Sequence, residues 1–450
     1  MVVSDTTRRH QRENSLANQA KLLASGVFVV GRNPYEYIEH DLRTINHYHD
    51  WEQCSVDIDF EEQLVTISTA DGLSKTAVHN GDQGCTILPE SRETVAFDPV
   101  PVEPDLDDPD EQSWPMGDAG AVNPDPDGVD AEALTRVLDN AVRSNPTHGI
   151  PPNTRALVVV HDGEIVGERY AEGFTKDTPH VSWSKGKSVT AALIGILVEE
   201  GHIDVDQPAP IPEWKDTPRE AITVTDLLQM SSGLEFQRYG ETDDVVPFTD
   251  DDHHYSVYHR VMDVYDFVTS RDLEHEPGTE WRYRNCDPLT LMRVVRDVAE
   301  ETGRDFLSFP QRALYDRIGV RSMVHETDLY GNFITSGFNY GTARDWARFG
   351  LLHLWEGEWL GDQILPEWWV DHIATPAPAN EEDEYGGQFW LNAGGELPEV
   401  PRDAFAARGM RGQVTMVVPS KDTVIVRMGH TPNYRQDNTL MREILDCIEE

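Results

Sequence analysis

The chain has 450 residues, 38% of them hydrophobic, and a formal net charge of −44. That much apolar content can bury a core, which argues against global disorder. The negative charge runs along the whole chain, so it lacks the basic footprint that nucleic acid needs, and an anionic membrane surface is disfavoured for the same reason.

Lysine is confined to Lys21, Lys75, Lys176, Lys185, Lys187, Lys215 and Lys421; arginine supplies the remaining positive charge. Strong screening makes such an acidic surface tolerable in multimolar salt, and the expectation is a halophilic source. Cys54, Cys85, Cys286 and Cys447 show no CxxC spacing or disulfide framework, so free thiols in a reducing cytoplasm are expected. The first residues carry no signal-peptide pattern and no stretch approaches a membrane helix, which again points to the cytoplasm.

Residues 1–96 read as a small N-terminal extension. There "QLVTIST" and "SKTAVHN" alternate as strands around the turn "ADGL". Residues 97–129, rich in Pro and Asp, read as an acidic linker. The third part is 130–450. A helix is expected from Asp130, with Leu134, Val137, Leu138 and Ala141 on one face. "TRALVVVHDGEIVGERYAEG" is a hairpin about Asp-Gly. Residues 191–198 are apolar on every side, which predicts a fully buried helix. "ITVTDLLQMSSGLEF" predicts a short helix ending at Gly233, and 237–259 a polar, aromatic loop. A helix follows with Asp287 as its cap and Pro288 at its first position. "GQVTMVVPSKDTVIVRMG" is a second hairpin. The closing segment is an amphipathic helix with Leu440, Ile444, Leu445 and Ile448 on one side. An early hairpin, a late hairpin and helices between them predict an antiparallel sheet flanked by helices, with a helical subdomain.

"HVSWSKGKSVTAALIGI" carries the chemistry. Serine and lysine three residues apart share a helix face. A lysine at the mouth of a buried helix can be desolvated into a usable base, which arginine cannot become. Two such pairs overlap, Ser182 with Lys185 and Ser184 with Lys187. Helix phase does not choose between them, because the helix is apolar all round.

"SKGKSVT" fits S-x-x-K-[ST]-x-T, Tyr283-Arg284-Asn285 fits Y-x-N, and "RGMRGQVTMVV" brings a glycine turn into a strand. In this order they resemble the β-lactamase-like serine hydrolases, and more narrowly the class C-related branch with 6-aminohexanoate-dimer hydrolases and small esterases. The similarity runs from about Asn153 to the end, through "PGTEWRYRN", "YGGQFWLN" and "TARDWARFGLLHLWEGEWLGDQILPEWWV". "SGVFVVGRNP" and "GCTILP" resemble the N-terminal extension of some members.

The resemblance implies an α/β (α+β), β-lactamase/transpeptidase-like fold, and a serine hydrolase that cleaves an ester or amide of a small molecule without cofactor or metal. It selects Ser184 as nucleophile, since Lys187 is followed by Ser188-Val189-Thr190 as the family's lysine is by its own [ST]-x-T. Lys187 and Tyr283 would share the proton work, with Tyr283 ionising more easily beside a lysine ammonium. Asn285 would orient substrate or Lys187. The N–H groups of Ser184 and Gln413 would form the oxyanion hole. Met410-Arg411-Gly412 stands where penicillin-recognising members carry K-T-G. Met410 cannot bind a carboxylate although Arg411 can, which favours esterase or amidase chemistry. The alternatives are a penicillin-interacting β-lactamase or D-aminopeptidase-type enzyme, and a non-catalytic ligand-binding descendant. His47 with His49, and His253 with His254 and His259, are read as solvated loop residues and not as metal ligands.

Overall fold

A computed structural model of the chain describes residues 4–45, 51–143, 154–241, 245–260, 262–431 and 437–449. Helix α1 (Asp5–Ala24) starts where the Ser4 hydroxyl accepts from the Thr7 amide, and α2 (Pro34–His40) starts at an Asn33 cap. Strands β1 (Cys54–Asp59), β2 (Leu64–Thr69), β3 (Ser74–His79) and β4 (Cys85–Leu88) form an antiparallel meander, with the expected turn between β2 and β3. Val65, Ile67 and Ala77 are buried in that sheet, and α1 packs across β2, β3 and β4.

The acidic stretch that follows is irregular but pinned. Arg348 donates to the carbonyls of Pro115 and Gly117, and Arg321 to that of Met116. Helix α3 (Ala131–Val142) begins as expected, its Asp130 carboxylate accepting from the Ala133 amide. Strands β5 (Thr154–His161) and β6 (Glu164–Tyr170) turn through Asp162 and Gly163 at φ 48° and 74°, the pair of positive φ values that a tight hairpin turn requires.

The middle of the chain is mostly helical. It comprises β7 (His180–Val181), α4 (Gly186–Glu199), α5 (Val224–Leu228), α6 (His253–His259), α7 (Val264–Thr269) and α8 (Cys286–Glu301). Next come β8 (Val324–His325), β9 (Asn339–Gly341), α9 (Ala343–Leu354), β10 (Glu358–Trp359), β11 (Asp362–Gln363) and α10 (Trp369–Ala374). The chain closes with β12 (Trp390–Leu391), β13 (Phe405–Gly409), β14 (Gln413–Val418), β15 (Thr423–Gly429) and α11 (Asp437–Leu445).

The early and late hairpins meet in one antiparallel sheet of order β12-β13-β14-β15-β5-β6. Helix α9 packs on one face, where Gly350 lets it approach Val424; α3 and α11 cover the other face with Leu134, Leu138, Met441 and Ile444. Helix α4 is buried from Gly186 to Leu197, as its all-round apolar sequence demands.

Four boundaries differ from expectation. Helix α5 stops at Leu228, because Met230 takes a left-handed φ of 58°. Helix α8 begins at Cys286 with Asn285 at the cap position, while the Asp287 carboxylate accepts from the Ser232 hydroxyl at 2.6 Å. The end of the 237–259 loop is the helix α6. Ile448 lies beyond α11, in a bridge to Val129.

Candidate active site

Ser184 lies in a single tight turn, Trp183–Lys185, that feeds α4. Trp183 has φ 49°, a left-handed conformation that costs a bulky residue about 1–3 kcal/mol and persists only where packing holds it. Here the indole is buried against Phe338, ring centroids 5.8 Å apart. The rest of the S-K-G-K-S-V-T stretch is mortised into its neighbours. The Ser188 hydroxyl donates to the Gln388 carbonyl at 2.7 Å, and Thr190 meets Thr335 at 2.8 Å. A Cβ on Gly186 would lie 1.9 Å from the Asn339 amide nitrogen, so only glycine fits.

The two serine–lysine pairs separate cleanly. Ser182 is fully buried and its hydroxyl donates to the Trp183 carbonyl; Lys185 turns into the core, with Nζ 3.2 Å from Met428 Sδ and 4.0 Å from the Trp346 ring. Lys187 Nζ lies 3.0 Å from Ser184 Oγ and donates to the Ser336 carbonyl at 2.8 Å. Burial, reinforced by the positive charge of Arg238, holds the Lys187 amine well below the ordinary lysine value of 10.5. Burial therefore makes the ammonium easier to deprotonate than that of a free lysine.

Tyr283 completes the group. Lys187 Nζ stands 5.0 Å from its ring centroid, and the Ser184 hydroxyl eases ionisation of its phenol. Burial pushes the phenol up to about 12, against the opposing effects of the Ser184 hydroxyl and of Arg238. This corrects the expectation of an easily ionised phenol. The lysine sits over the ring, is itself more easily deprotonated than a free lysine, and so does not offset the desolvation.

Asn285 takes a different place from the one expected. Its Nδ2 donates to the His254 carbonyl at 2.6 Å. Tyr258 donates to the Ser336 carbonyl, the acceptor that Lys187 also uses. Asn285 itself is bonded to neither Lys187 nor Ser184.

The late hairpin also differs. Its point of contact with the Ser184 segment is Gly409, where a Cβ would lie 2.0 Å from the Ser182 carbonyl oxygen. Gln413 sits opposite Gly409 in β14, and its side chain loops onto the backbone of Gly429. Arg411 and Gly412 form the turn, at φ 65° and 82°. The Arg411 guanidinium binds Thr44 and His430, and neither it nor Gln413 is bonded to Ser184, Lys187 or Tyr283. The third motif was expected at Met410-Arg411-Gly412. The glycine packed against the Ser182 backbone is Gly409 and not Gly412.

Sequence reasoning missed the wall of the site. Trp390 and Tyr385 pack on Tyr283 at 5.2 and 5.7 Å between centroids, and Trp281 packs on Tyr385 at 5.6 Å. Arg238 lies 5.9 Å above the Tyr283 ring and Arg408 5.5 Å above that of Trp390. The aromatic clusters "EWRY" and "YGGQFW" were the available signal.

The histidines of α6 do not converge. His253 Nδ1 accepts from the Gln237 amide, His259 stacks on Phe248 and His254 lies against Tyr255. Among the described residues there is no group of three His, Cys, Asp or Glu side chains placed to hold a metal. His47 and His49 lie outside the described residues. No helix among the described residues is long and apolar enough to cross a membrane.

A sheet of this order, with a serine and a lysine at the head of a buried helix, defines a class of serine-hydrolase architecture. The Beta-lactamase family profile matches residues 154–446, well over half of the chain, and the chain belongs to that family. A 6-aminohexanoate-dimer hydrolase of Paenarthrobacter ureafaciens is 27% identical over 302 residues, 62% of this chain and 73% of that one. A Bacillus anthracis structure, proposed to be a 6-aminohexanoate-dimer hydrolase, matches with a TM-score of 0.56 and 27% identity over 72% of this chain and 85% of that one. A family VIII carboxylesterase shares the fold at a TM-score of 0.54 and 16% identity, over 71% of this chain and 99% of that one. The protein is accordingly a hydrolase of the serine β-lactamase fold, the kind that acts on ester or amide bonds of small molecules.

Proposed function

We propose that Ser184 is the nucleophile of an acyl-transfer hydrolysis on a small-molecule ester or amide, with Lys187 as its base and Tyr283 as proton donor to the leaving group. The observation that carries this reading is the buried Lys187 amine, 3.0 Å from Ser184 Oγ. Its hydrogen-bond partners among the described residues are Ser184 and one carbonyl, so nothing anionic holds it protonated. The Ser184 proton passes to Lys187 Nζ as the Oγ–carbon bond forms. The leaving oxygen or nitrogen takes the Tyr283 proton as its bond to carbon breaks, and Tyr283 regains a proton from the Lys187 ammonium. Water then attacks the acyl-enzyme along the reverse path.

The Ser184 and Met410 amides would receive the oxyanion, in place of the Gln413 amide expected from sequence. The seating of Gly409 on Ser182 supports this, as does a Met410 amide that donates to no backbone carbonyl among the described residues. The third motif supplies no K-T-G lysine, which supports esterase or amidase over penicillin chemistry. The aromatic wall suits an apolar acyl or leaving group.

The same reading takes 1–96 as an extension, 97–129 as an acidic linker laid on the hydrolase domain by Arg321 and Arg348, and 130–450 as that domain. The net charge of −44 supports a halophilic source, and four free cysteines support a reducing compartment.

The test is hydrolysis of a p-nitrophenyl acyl ester series in multimolar KCl by the unsubstituted protein, Ser184→Ala and Ser182→Ala. Loss of turnover in Ser184→Ala alone is expected. A folded Ser184→Ala protein with undiminished turnover would overturn the assignment.

A further inference from the structure

Arg411 was expected to bind substrate, yet its guanidinium is spent on the N-terminal extension. It donates to the Thr44 carbonyl at 2.7 Å, to the Thr44 hydroxyl at 3.1 Å and to His430 Nε2 at 3.2 Å. His430 Nε2 also lies 2.8 Å from the Thr44 hydroxyl and 3.2 Å from the Asp41 carbonyl, and its other ring nitrogen is Nδ1. That nitrogen is 3.8 Å from the Asp41 carboxylate.

Asp41 is the anchor of the assembly. Arg155 of β5 grips it through two bonds of 2.5 and 2.9 Å, and Arg32 of the extension adds a third of 2.6 Å. Asp41, Arg155 and His430 are all more than nine-tenths buried. Paired, hydrogen-bonded buried charges of this kind hold their geometry, because breaking the set leaves an unpaired charge out of water. The anchor joins the extension and the central sheet, and its last link is a turn of three residues.

That turn begins with Met410, whose amide is the second oxyanion donor in the reading above. Arg411 holds φ 65°, a region a non-glycine residue keeps only when its surroundings impose it. The Thr44 and His430 contacts hold its side chain, the Thr431 amide donates to its carbonyl, and Arg427 donates to that of Gly412.

We propose that Arg411 is a positioning residue: clamped by Thr44 of the N-terminal extension, it sets the turn that presents the Met410 amide to the reaction. The proposal rests on the oxyanion assignment made above. It gives the extension a role in catalysis, at a hairpin tip where Met410 is 45% exposed.

Arg411→Gly in the full chain tests this, because glycine accepts the left-handed φ without strain while the clamp is lost. Thr44→Val and Arg411→Lys accompany it. Misplacing a catalytic group by about 1 Å costs up to about 10²-fold, and losing an oxyanion donor about 10²–10³-fold. For Arg411→Gly, kcat should fall by about 10- to 100-fold with KM nearly unchanged. Inhibition by benzeneboronic acid, which forms a tetrahedral anion on the serine, should weaken by the same factor. Amide hydrogen exchange at 408–413 should quicken. Thr44→Val should move all three readouts the same way by less, and Arg411→Lys should restore part of kcat.

Arg411→Gly with wild-type kcat and boronate affinity would overturn the positioning role, as would unchanged exchange in the turn. An unsubstituted protein without Ser184-dependent turnover would instead sink the hydrolase reading, and this role with it.

Discussion

Replacing Gly409 by alanine puts the contact between the late hairpin and the nucleophile segment to a direct test. The new methyl carbon would start 2.0 Å from the Ser182 carbonyl oxygen and 3.1 Å from the Gln413 Cβ, and real Cβ atoms essentially never approach closer than 3.0 Å. The strand must therefore retreat from Ser182 by at least about 1 Å. The obstacle is backbone, so no side-chain rotation relieves it. A donor displaced that far from a developing oxyanion costs about 10²-fold in rate, or about 2.8 kcal/mol of transition-state stabilisation. The assay is steady-state hydrolysis of the best p-nitrophenyl ester, with melting temperature measured in parallel to separate misplacement from unfolding. kcat should fall about 100-fold in a protein that still melts cooperatively. A Gly409→Ala enzyme within threefold of wild-type kcat would refute the claim that β13 abuts the reacting segment.

The pH profile of kcat/KM should rise on a limb set by Lys187, at a pH below the ordinary lysine value of 10.5. Arg238→Ala removes a positive charge that lowers this pKa, so the limb should move to higher pH; an unmoved limb would exclude Lys187 as the titrating base. Asp287 is buried and pushed up to about 6 from 3.8. Its contribution to stability is therefore fully present below about pH 3.8 and lost as pH rises through about 6. Asp287→Asn should flatten the fall in melting temperature between about pH 3.8 and 6, an effect capped at about 3 kcal/mol, and parallel curves would contradict it. Screening shortens from about 10 Å at 0.1 M salt to about 3 Å at 1 M, so the melting temperature should climb steeply with KCl. A flat salt response would remove the support for a halophilic source.

The parts of the fold legible in the sequence are those set by local rules. The Asp130 cap, the Asp-Gly turn of the β5–β6 hairpin and the period-2 pattern of β2 and β3 each depend on a few adjacent residues. The helix boundaries that went astray depend on distant partners. Asp287 reads as a cap until Ser232, 55 residues away, claims its carboxylate. The lysine–serine choice was open from residues alone, because both lysines enter a helix that is apolar on every side. Only the fold shows that Lys185 faces Met428 and Trp346 while Lys187 faces Ser184.

By itself, then, the sequence determined the chemistry available: a serine and a titratable lysine one helix turn apart, a tyrosine a hundred residues on, and a surface too acidic for nucleic acid. Tertiary structure alone decided which groups meet. It set Arg238 and Arg408 beside the Tyr283 aromatic wall, chose Gly409 over Gly412 as the seat on Ser182, and turned Arg411 toward Thr44. The reason is physical: residue type and spacing specify what a side chain can do within one or two turns of chain. Desolvation, shared acceptors and close backbone approach are properties of segments that the chain brings together only on folding.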